Sequence, residues 1–253
     1  MMTEKEQYIF GIRAVIEAMD AGRVIDKILI KSDLSSDLRK ELTAKARECH
    51  IPLQRVPVER INRITRKNHQ GVLAFLAAVD YWSLESMIPA LYEDGVVPFI
   101  IVLDGVTDVR NFGAIARTCE CAGVNAIVIP EKNSVCVNAD AVKTSAGALN
   151  YIPVCREKNV VSAIEILKAN GFRVIGSSDR TEKLFTDCRY TDPVALVLGS
   201  EDKGISTDVM KMCDELVKIP EFGEINSLNV SVAGGILIYE VVKQRLNDNQ
   251  TVN

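Results

Sequence analysis

The chain has 253 residues, of which 47% are apolar and 25% charged, with a formal net charge of −4. This length and balance suit one large globular domain or two smaller ones and exclude a disordered chain. The charge is uneven: residues 1–80 carry 14 Lys and Arg against 11 Asp and Glu, and residues 81–253 carry 16 against 23. A generic nucleic-acid binder is more basic, so nucleic acid would have to meet a local patch. The seven cysteines are odd in number and contain no C-x-x-C pair. They read as reduced thiols, not as a disulfide framework or a zinc site. Only two histidines occur, His50 and His69. A Ser-His-Asp triad or histidine metal cluster is therefore excluded from the rest of the chain, and no metal is expected. No apolar run approaches the ~20 residues that span a bilayer. Residues 1–7 are polar and charged, without the apolar core of a signal peptide, so a cytoplasmic location is expected.

In chain order, residues 8–80 alternate helix and strand signals. Ile12–Met19 is helical in pattern, and Lys27-Ile-Leu-Ile-Lys is a short strand. Asp37–His50 is an amphipathic helix that Pro52 stops, and 71–79 is a buried strand. Residues 1–80 are predicted to form a compact αβ domain. Between them, 55–69 bring together Arg55, Arg60, Arg63, Arg66 and Lys67 with one acid, Glu59, and end at His69. Such a run is either a solvated surface or a phosphate-docking patch.

Residues 81–97 hold Trp82, a helical stretch and the breaker Glu93-Asp94-Gly95, and are predicted as a linker. From 98 onward, apolar strands without polar alternation are separated by helices. That pattern predicts an α/β domain over 98–253, with a parallel sheet covered by helices on both faces. Helices are expected at 113–122, 160–170, 207–213 and 230–246.

Ligands in open α/β sheets bind beyond the carboxyl ends of strands. Three such ends here are polar and contain glycine. After Ile100-Ile-Val-Leu comes Asn111-Phe-Gly-Ala-Ile-Ala-Arg117, with spacing N-x-G-x-x-x-R. If a helix starts near Gly113, the amide and guanidinium can grip a phosphate and a ribose hydroxyl; otherwise Asn111 is a cap and Arg117 a surface ion-pair partner. After Val194-Ala-Leu-Val-Leu comes Gly199-Ser-Glu-Asp-Lys-Gly204, where backbone can approach a ligand closely. It is neither a dinucleotide fingerprint nor a P-loop, since Ile205 stands where a P-loop needs lysine. After Leu216-Val-Lys-Ile comes the stretch to Asn226-Ser-Leu-Asn229, polar residues placed where an apolar helix begins at Val230. Alone it reads as a capped core helix, although helix starts also hold anions.

In register, Arg110-Asn-Phe-Gly-Ala-Ile-Ala-Arg, Leu198-Gly-Ser-Glu-Asp-Lys-Gly-Ile and Ile219-Pro…Ser227-Leu-Asn-Val-Ser-Val-Ala resemble the three motifs of the SpoU/TrmH group of SPOUT RNA ribose methyltransferases. Lys143-Thr-Ser-Ala-Gly-Ala resembles a further segment of that family, and the resemblance covers about 98–246. Tyr8-Ile-Phe-Gly-Ile-Arg-Ala-Val and Asn68-His-Gln-Gly-Val resemble the small substrate-binding domain of its longer members, which are similar to the bacterial enzyme that methylates a guanosine ribose in 23S ribosomal RNA. Two departures are visible: Glu221 stands where a methionine is common, and Leu149-Asn150 where an acid often follows.

The resemblance implies S-adenosylmethionine as cofactor and RNA as partner. It implies a C-terminal trefoil knot, a ribosomal-protein-like αβ N-terminal domain and a homodimer with its site at the subunit interface. Carried over residue by residue, it makes Asn111, Arg117, Glu201, Ser227 and Asn229 the catalytic and phosphate-holding set. Backbone groups of Leu198, Gly199, Ile219 and Leu228 would hold the cofactor. Arg60, Arg63, Arg66, Lys67, His69 and Gln70 would dock RNA. Transfer-RNA methylation is the alternative activity, and a non-catalytic RNA-binding protein of the same fold is the alternative class.

Overall fold

The structure, a computed structural model, describes residues 8–34, 37–224 and 227–251. The chain divides into two compact units: residues 1–80 with 136–140, and residues 81–135 with 141–253.

In the first unit the order is β1 (Tyr8–Phe10), α1 (Ile12–Asp20), β2 (Ile25–Lys31), α2 (Asp37–Glu48), β3 (Leu53–Val56), α3 (Val58–Ile64) and β4 (Val72–Leu76). The sheet order is β1-β4-β2-β3, antiparallel except for the β2–β3 pair. Side chains alternate across the sheet, so its two faces differ. Ile28, Ile30, Val72 and Ala74 bury Val15, Ile16, Leu42 and Ala46 of α1 and α2. Leu29 and Leu73 point the other way and bury Ile61 of α3 with Val56. Residues 136–140 complete this unit. The Val137 N–H donates to Asp26 Oδ1 at 3.3 Å, and its carbonyl accepts from Ala78 N–H at 2.9 Å.

The second unit continues with β5 (Tyr81–Trp82), α4 (Leu84–Glu93), β6 (Phe99–Asp104), α5 (Val109–Cys121), β7 (Ala126–Pro130), α6 (Ala139–Thr144), β8 (Val154–Glu157), α7 (Val160–Ala169), β9 (Arg173–Ser177), β10 (Val194–Gly199), α8 (Thr207–Met212), β11 (Glu215–Val217) and α9 (Val230–Thr251). Helix α6 starts in residues grouped with the first unit. The seven strands are all parallel, in the order β11-β9-β10-β6-β7-β8-β5. Their apolar runs suit strands buried on both faces. On one face Ile100, Val102, Ala195 and Val197 pack with Leu84, Ile88, Ile164 and Leu167 from α4 and α7. Helices α5 and α9 pack against each other, and α9 also packs on β10.

Two expectations are corrected. Residues 81–97 are not a free linker: Tyr81–Trp82 pairs with β8 as an edge strand, and Leu84, Met87 and Ile88 of α4 enter the core. The polar end of that helix, at Glu93-Asp94-Gly95, hid its apolar face. Helix α5 starts at Val109, four residues before Gly113, because the Asp108 carboxylate caps it, accepting from Arg110 N–H at 2.9 Å and Asn111 N–H at 3.0 Å. All seven cysteines are free; Cys119, Cys155 and Cys188 are buried. No described helix is long and apolar enough to cross a membrane.

Candidate active site at the carboxyl ends of the parallel strands

Strands β6 and β10 end in register, Gly199 beside Asp104. Beyond them the chain must turn sharply. Ser200 and Gly204 exchange two backbone hydrogen bonds, 3.1 and 2.8 Å, and close a tight loop over Glu201–Lys203. Gly199 permits this: an added Cβ would overlap the backbone of Gly204 and Ile205. The Asp104 carboxylate accepts from Ser206 N–H at 2.7 Å, which ties this loop to the end of β6.

Three side chains that follow three strand ends then meet. The Asn229 Nδ2 donates to Asn111 Oδ1 at 3.0 Å and to the Glu201 carboxylate. Its Oδ1 accepts from Ser231 N–H at 3.0 Å and Ser231 Oγ at 2.5 Å. Asn229 is thus both the cap of α9 and the joint of the cluster, with each polar atom of its amide given a task. The Asp108 carboxyl, behind Asn111, is held below its usual range by the N–H of Asn111 and then that of Arg110.

A cleft of about 770 Å3 opens beside this cluster. Leu198, Gly199, Ile219, Ser227 and Leu228 all line it, together with Ser177 from the end of β9. A second cavity of about 670 Å3 lies against Asp104, Asp108 and Asn111. The 200–205 loop, Glu201 included, borders both. Among the described residues no group of three or more His, Cys, Asp or Glu is placed to hold a metal ion.

Eight of the nine site positions named from the sequence therefore converge. Arg117 does not. It is exposed, and it makes no hydrogen bond or ion pair with another described residue. Six residues along a helix place it ~9 Å further along α5 and about 120° around from Asn111. It shares the side of Gly113, where an added Cβ would overlap Thr144. Within one chain, Asn111 and Arg117 do not converge on one ligand, and Arg117 makes no surface ion pair with a described residue. Asn226 lies outside the described residues. The residues missed from sequence are Asp108, Asp104, Ser177 and Arg180, the last bordering both cavities. Asp108 had a signal, an Asp ahead of an apolar-periodic run; the others become visible only when the strand ends align.

In the first unit, Arg60, Arg63, Arg66, Lys67 and Gln70 are exposed. His69 is not: it is 8% exposed. One ring nitrogen lies 2.8 Å from Asn62 Oδ1 and the other accepts from Gly71 N–H at 3.0 Å. Both ring nitrogens hold the turn.

Residues 98–239 match the model of the SpoU rRNA Methylase family. Residues 8–82 match that of the RNA 2'-O ribose methyltransferase substrate-binding domain. The chain belongs to the SpoU methylase family. This SpoU chain is 34% identical over 244 residues to a TrmH family tRNA/rRNA methyltransferase, YacO, of Bacillus subtilis (strain 168), covering 96% of this chain and 98% of that one. It is 35% identical to a TrmH family tRNA/rRNA methyltransferase of Staphylococcus saprophyticus, over 95% of this chain and 97% of that one. Among solved structures, the AdoMet-bound rRNA methyltransferase from Sinorhizobium meliloti aligns with a TM-score of 0.59 at 25% identity, over 94% of this chain and 87% of that one. The A. aeolicus TrmH/SpoU tRNA modifying enzyme aligns with a TM-score of 0.55 at 30% identity, over 66% of this chain and 86% of that one. In this SpoU chain the converged loops lie beyond the carboxyl ends of the parallel strands, the general place for ligands in open α/β sheets.

Proposed function

We propose that this SpoU enzyme transfers a methyl group from S-adenosylmethionine to a ribose 2′-hydroxyl of RNA, with a guanosine of 23S ribosomal RNA as target. The observation that carries this is the Asn111–Asn229–Glu201 cluster standing between two cavities. One cavity suits the cofactor and the other a nucleotide.

The donor set of the cleft fits the cofactor. Its apolar wall of Leu198, Ile205, Leu228 and Ala233 suits a purine face, and the loop backbone at Leu198, Gly199, Ile219 and Leu228 offers amides and carbonyls to its polar edges. When bound, S-adenosylmethionine supplies an electrophilic methyl group. The protein must align the hydroxyl, steady charge growing on its oxygen and give its proton a route. Asn229, held by two acceptors and a cap, fixes the Asn111 amide and the Glu201 carboxylate that face the ribose. Ser227, exposed three residues before α9, is placed to hold a phosphate. No histidine serves as base. Arg117 fixes the neighbouring phosphate and polarises the hydroxyl, and the proton leaves to phosphate or water, since a guanidinium hardly deprotonates.

A homodimer supplies what one chain lacks: Arg117 of the partner subunit reaches the cluster. In support, α9 exposes Val232, Tyr239 and Leu246 seven residues apart, an apolar stripe along one face. The fold proposal includes the trefoil knot. Its support is that Lys218 pairs beside Leu184 while α9 returns to the 188–192 segment, which Gln244 and Arg245 hold through the carbonyls of Cys188, Tyr190 and Asp192. We assign the first unit to the ribosomal-protein-like αβ type, docking RNA through Arg60, Arg63, Arg66, Lys67 and Gln70, and place the enzyme in the cytoplasm.

Methyl label transferred from S-adenosylmethionine to 23S ribosomal RNA, followed by nucleoside analysis, tests this; a labelled 2′-O-methylguanosine is expected. Transfer RNA is the second substrate reading, favoured by the likeness to the A. aeolicus tRNA modifying enzyme. Label confined to transfer RNA selects it.

A further inference from the structure

Three separate segments meet at one end of the first unit's sheet. The Gly11 N–H donates to Val72 O at 3.0 Å, and the Lys31 N–H donates to Gly71 O at 2.8 Å. These bonds press the 65–71 turn against the end of β1 and the start of α1. Gln70 stands over Gly11, where an added Cβ would lie 3.6 Å from Gln70 Oε1. Lys67 Nζ sits 5.7 Å from the centre of the Phe10 ring. The first turn of α1 adds Arg13, exposed and far in sequence from the 55–69 run.

The turn is built rigidly. His69 bonds Asn62 and Gly71, His69 N–H donates to Lys67 O at 2.7 Å, and Gln70 takes a φ of 51° that a non-glycine residue seldom adopts. Its outward side chains are all polar or basic: Arg66, Lys67, Asn68 and Gln70. Residues 10–14 and 65–71 hold three cations and no acid. Three cations elsewhere in the unit are ion-paired: Lys31 with Asp33 at 3.1 Å, Lys40 with Asp37 at 3.1 Å, and Lys45 with Asp20. The Arg13 and Arg66 side chains pair with no described residue. A rigid, acid-free rim of uncompensated cations beside an aromatic ring is complementary to a phosphodiester backbone. Arg60 and Arg63 lie on α3, which covers the other face of the sheet.

We propose that Arg13, Arg66, Lys67 and the Gln70 amide form the principal RNA-backbone docking surface of the first unit, with Arg60 and Arg63 secondary to it. This rests on the reading of the chain as an RNA methyltransferase. It assigns Arg13, which the basic run in the sequence does not contain, and gives His69 the task of holding the turn.

The test uses the full-length chain with deproteinised 23S ribosomal RNA, and bulk transfer RNA as a second arm. Affinity is measured between about 50 and 200 mM salt, the range in which phosphate contacts show their salt dependence. The triple variant Arg13→Ala, Arg66→Ala, Lys67→Ala is expected to weaken binding and to flatten the slope of log affinity against log salt by about 2. Arg13→Gln alone, safe for folding at an exposed site, should flatten it by about 1. Arg60→Ala with Arg63→Ala should flatten it less than the triple change, and Lys40→Ala should not alter it. Melting temperature and S-adenosylmethionine affinity should stay at wild-type values throughout. Triple and single variants that bind with the wild-type slope overturn the docking surface even if methyl transfer proceeds. A wild-type chain that methylates neither RNA overturns the enzymatic reading instead, while the binding slopes still judge the surface.

Discussion

The two units organise polar chemistry in opposite ways. In the second, a parallel sheet delivers Asn111, Glu201 and Asn229 from three strand ends into one hydrogen-bonded cluster. In the first, a mixed sheet ends in a rim where the Arg13 and Arg66 side chains pair with no described residue. The cluster works at hydrogen-bond range, where displacement of about 1 Å can cost a hundredfold in rate. The rim works through phosphate charge, with roughly additive contributions that salt screens. Substitutions should therefore separate: cluster changes should strike the maximal rate and spare RNA affinity, and rim changes should weaken RNA affinity and raise KM for RNA.

The largest break in turnover is expected at the cluster. Asn229→Asp keeps the oxygen that caps α9 but removes the donor to Asn111 and Glu201 and places a carboxylate beside Glu201. Steady-state methyl transfer should fall at least about a hundredfold, with the melting temperature little changed. Arg117→Ala should abolish transfer and leave S-adenosylmethionine affinity, measured by calorimetry, unchanged. Turnover surviving within about tenfold, a loss of roughly 1.4 kcal/mol, would remove Arg117 from the reaction.

Next comes the scaffold of the loop. Gly199→Ala forces a Cβ into the backbone of Gly204 and Ile205. A stability loss of about 3 kcal/mol is expected in thermal or chemical melts, with cofactor binding lost alongside. No equivalent change in the rim should do this, because its side chains are exposed.

The smallest effect tests the cap of α5. Asp108→Ala should cost about 1 kcal/mol near neutral pH. The Asp108 carboxyl titrates below its ordinary range in the folded protein, so its stabilisation is present above that range and fades as pH falls through the folded value. The gap between wild type and Asp108→Ala should thus close below about pH 4 in a pH series of melts.

The same contrast explains what was legible in the sequence. Strands such as 99–103 and 194–198 are apolar throughout, and that pattern predicts the parallel sheet. Their polar, glycine-bearing ends point to the site loops, and the family resemblance singles out Asn111, Gly199, Glu201 and Asn229 within them. What stays hidden depends on contacts distant in sequence. Strand β5 is two residues long and exists only because β8 is beside it. Asp104 meets Ser206 N–H across 102 residues. A histidine beside a basic run suggests a ligand contact, and only packing reveals His69 as the buried brace of its turn. Arg13 looks like an ordinary helix residue until the 65–71 turn is folded over Gly11. The separation of Arg117 from Asn111 follows from the cap at Asp108, which shifts the helix start and with it the faces of α5.

On the proposed function, the cluster serves ribose methylation of RNA. The most direct measurement is transfer of labelled methyl from S-adenosylmethionine to ribosomal RNA, with the product digested to nucleosides and the labelled nucleoside identified. The expected result is label on a ribose 2′-oxygen, present with the wild type and lost with Asn229→Asp. Label on a base, or ribose label that survives Asn229→Asp undiminished, would contradict the account.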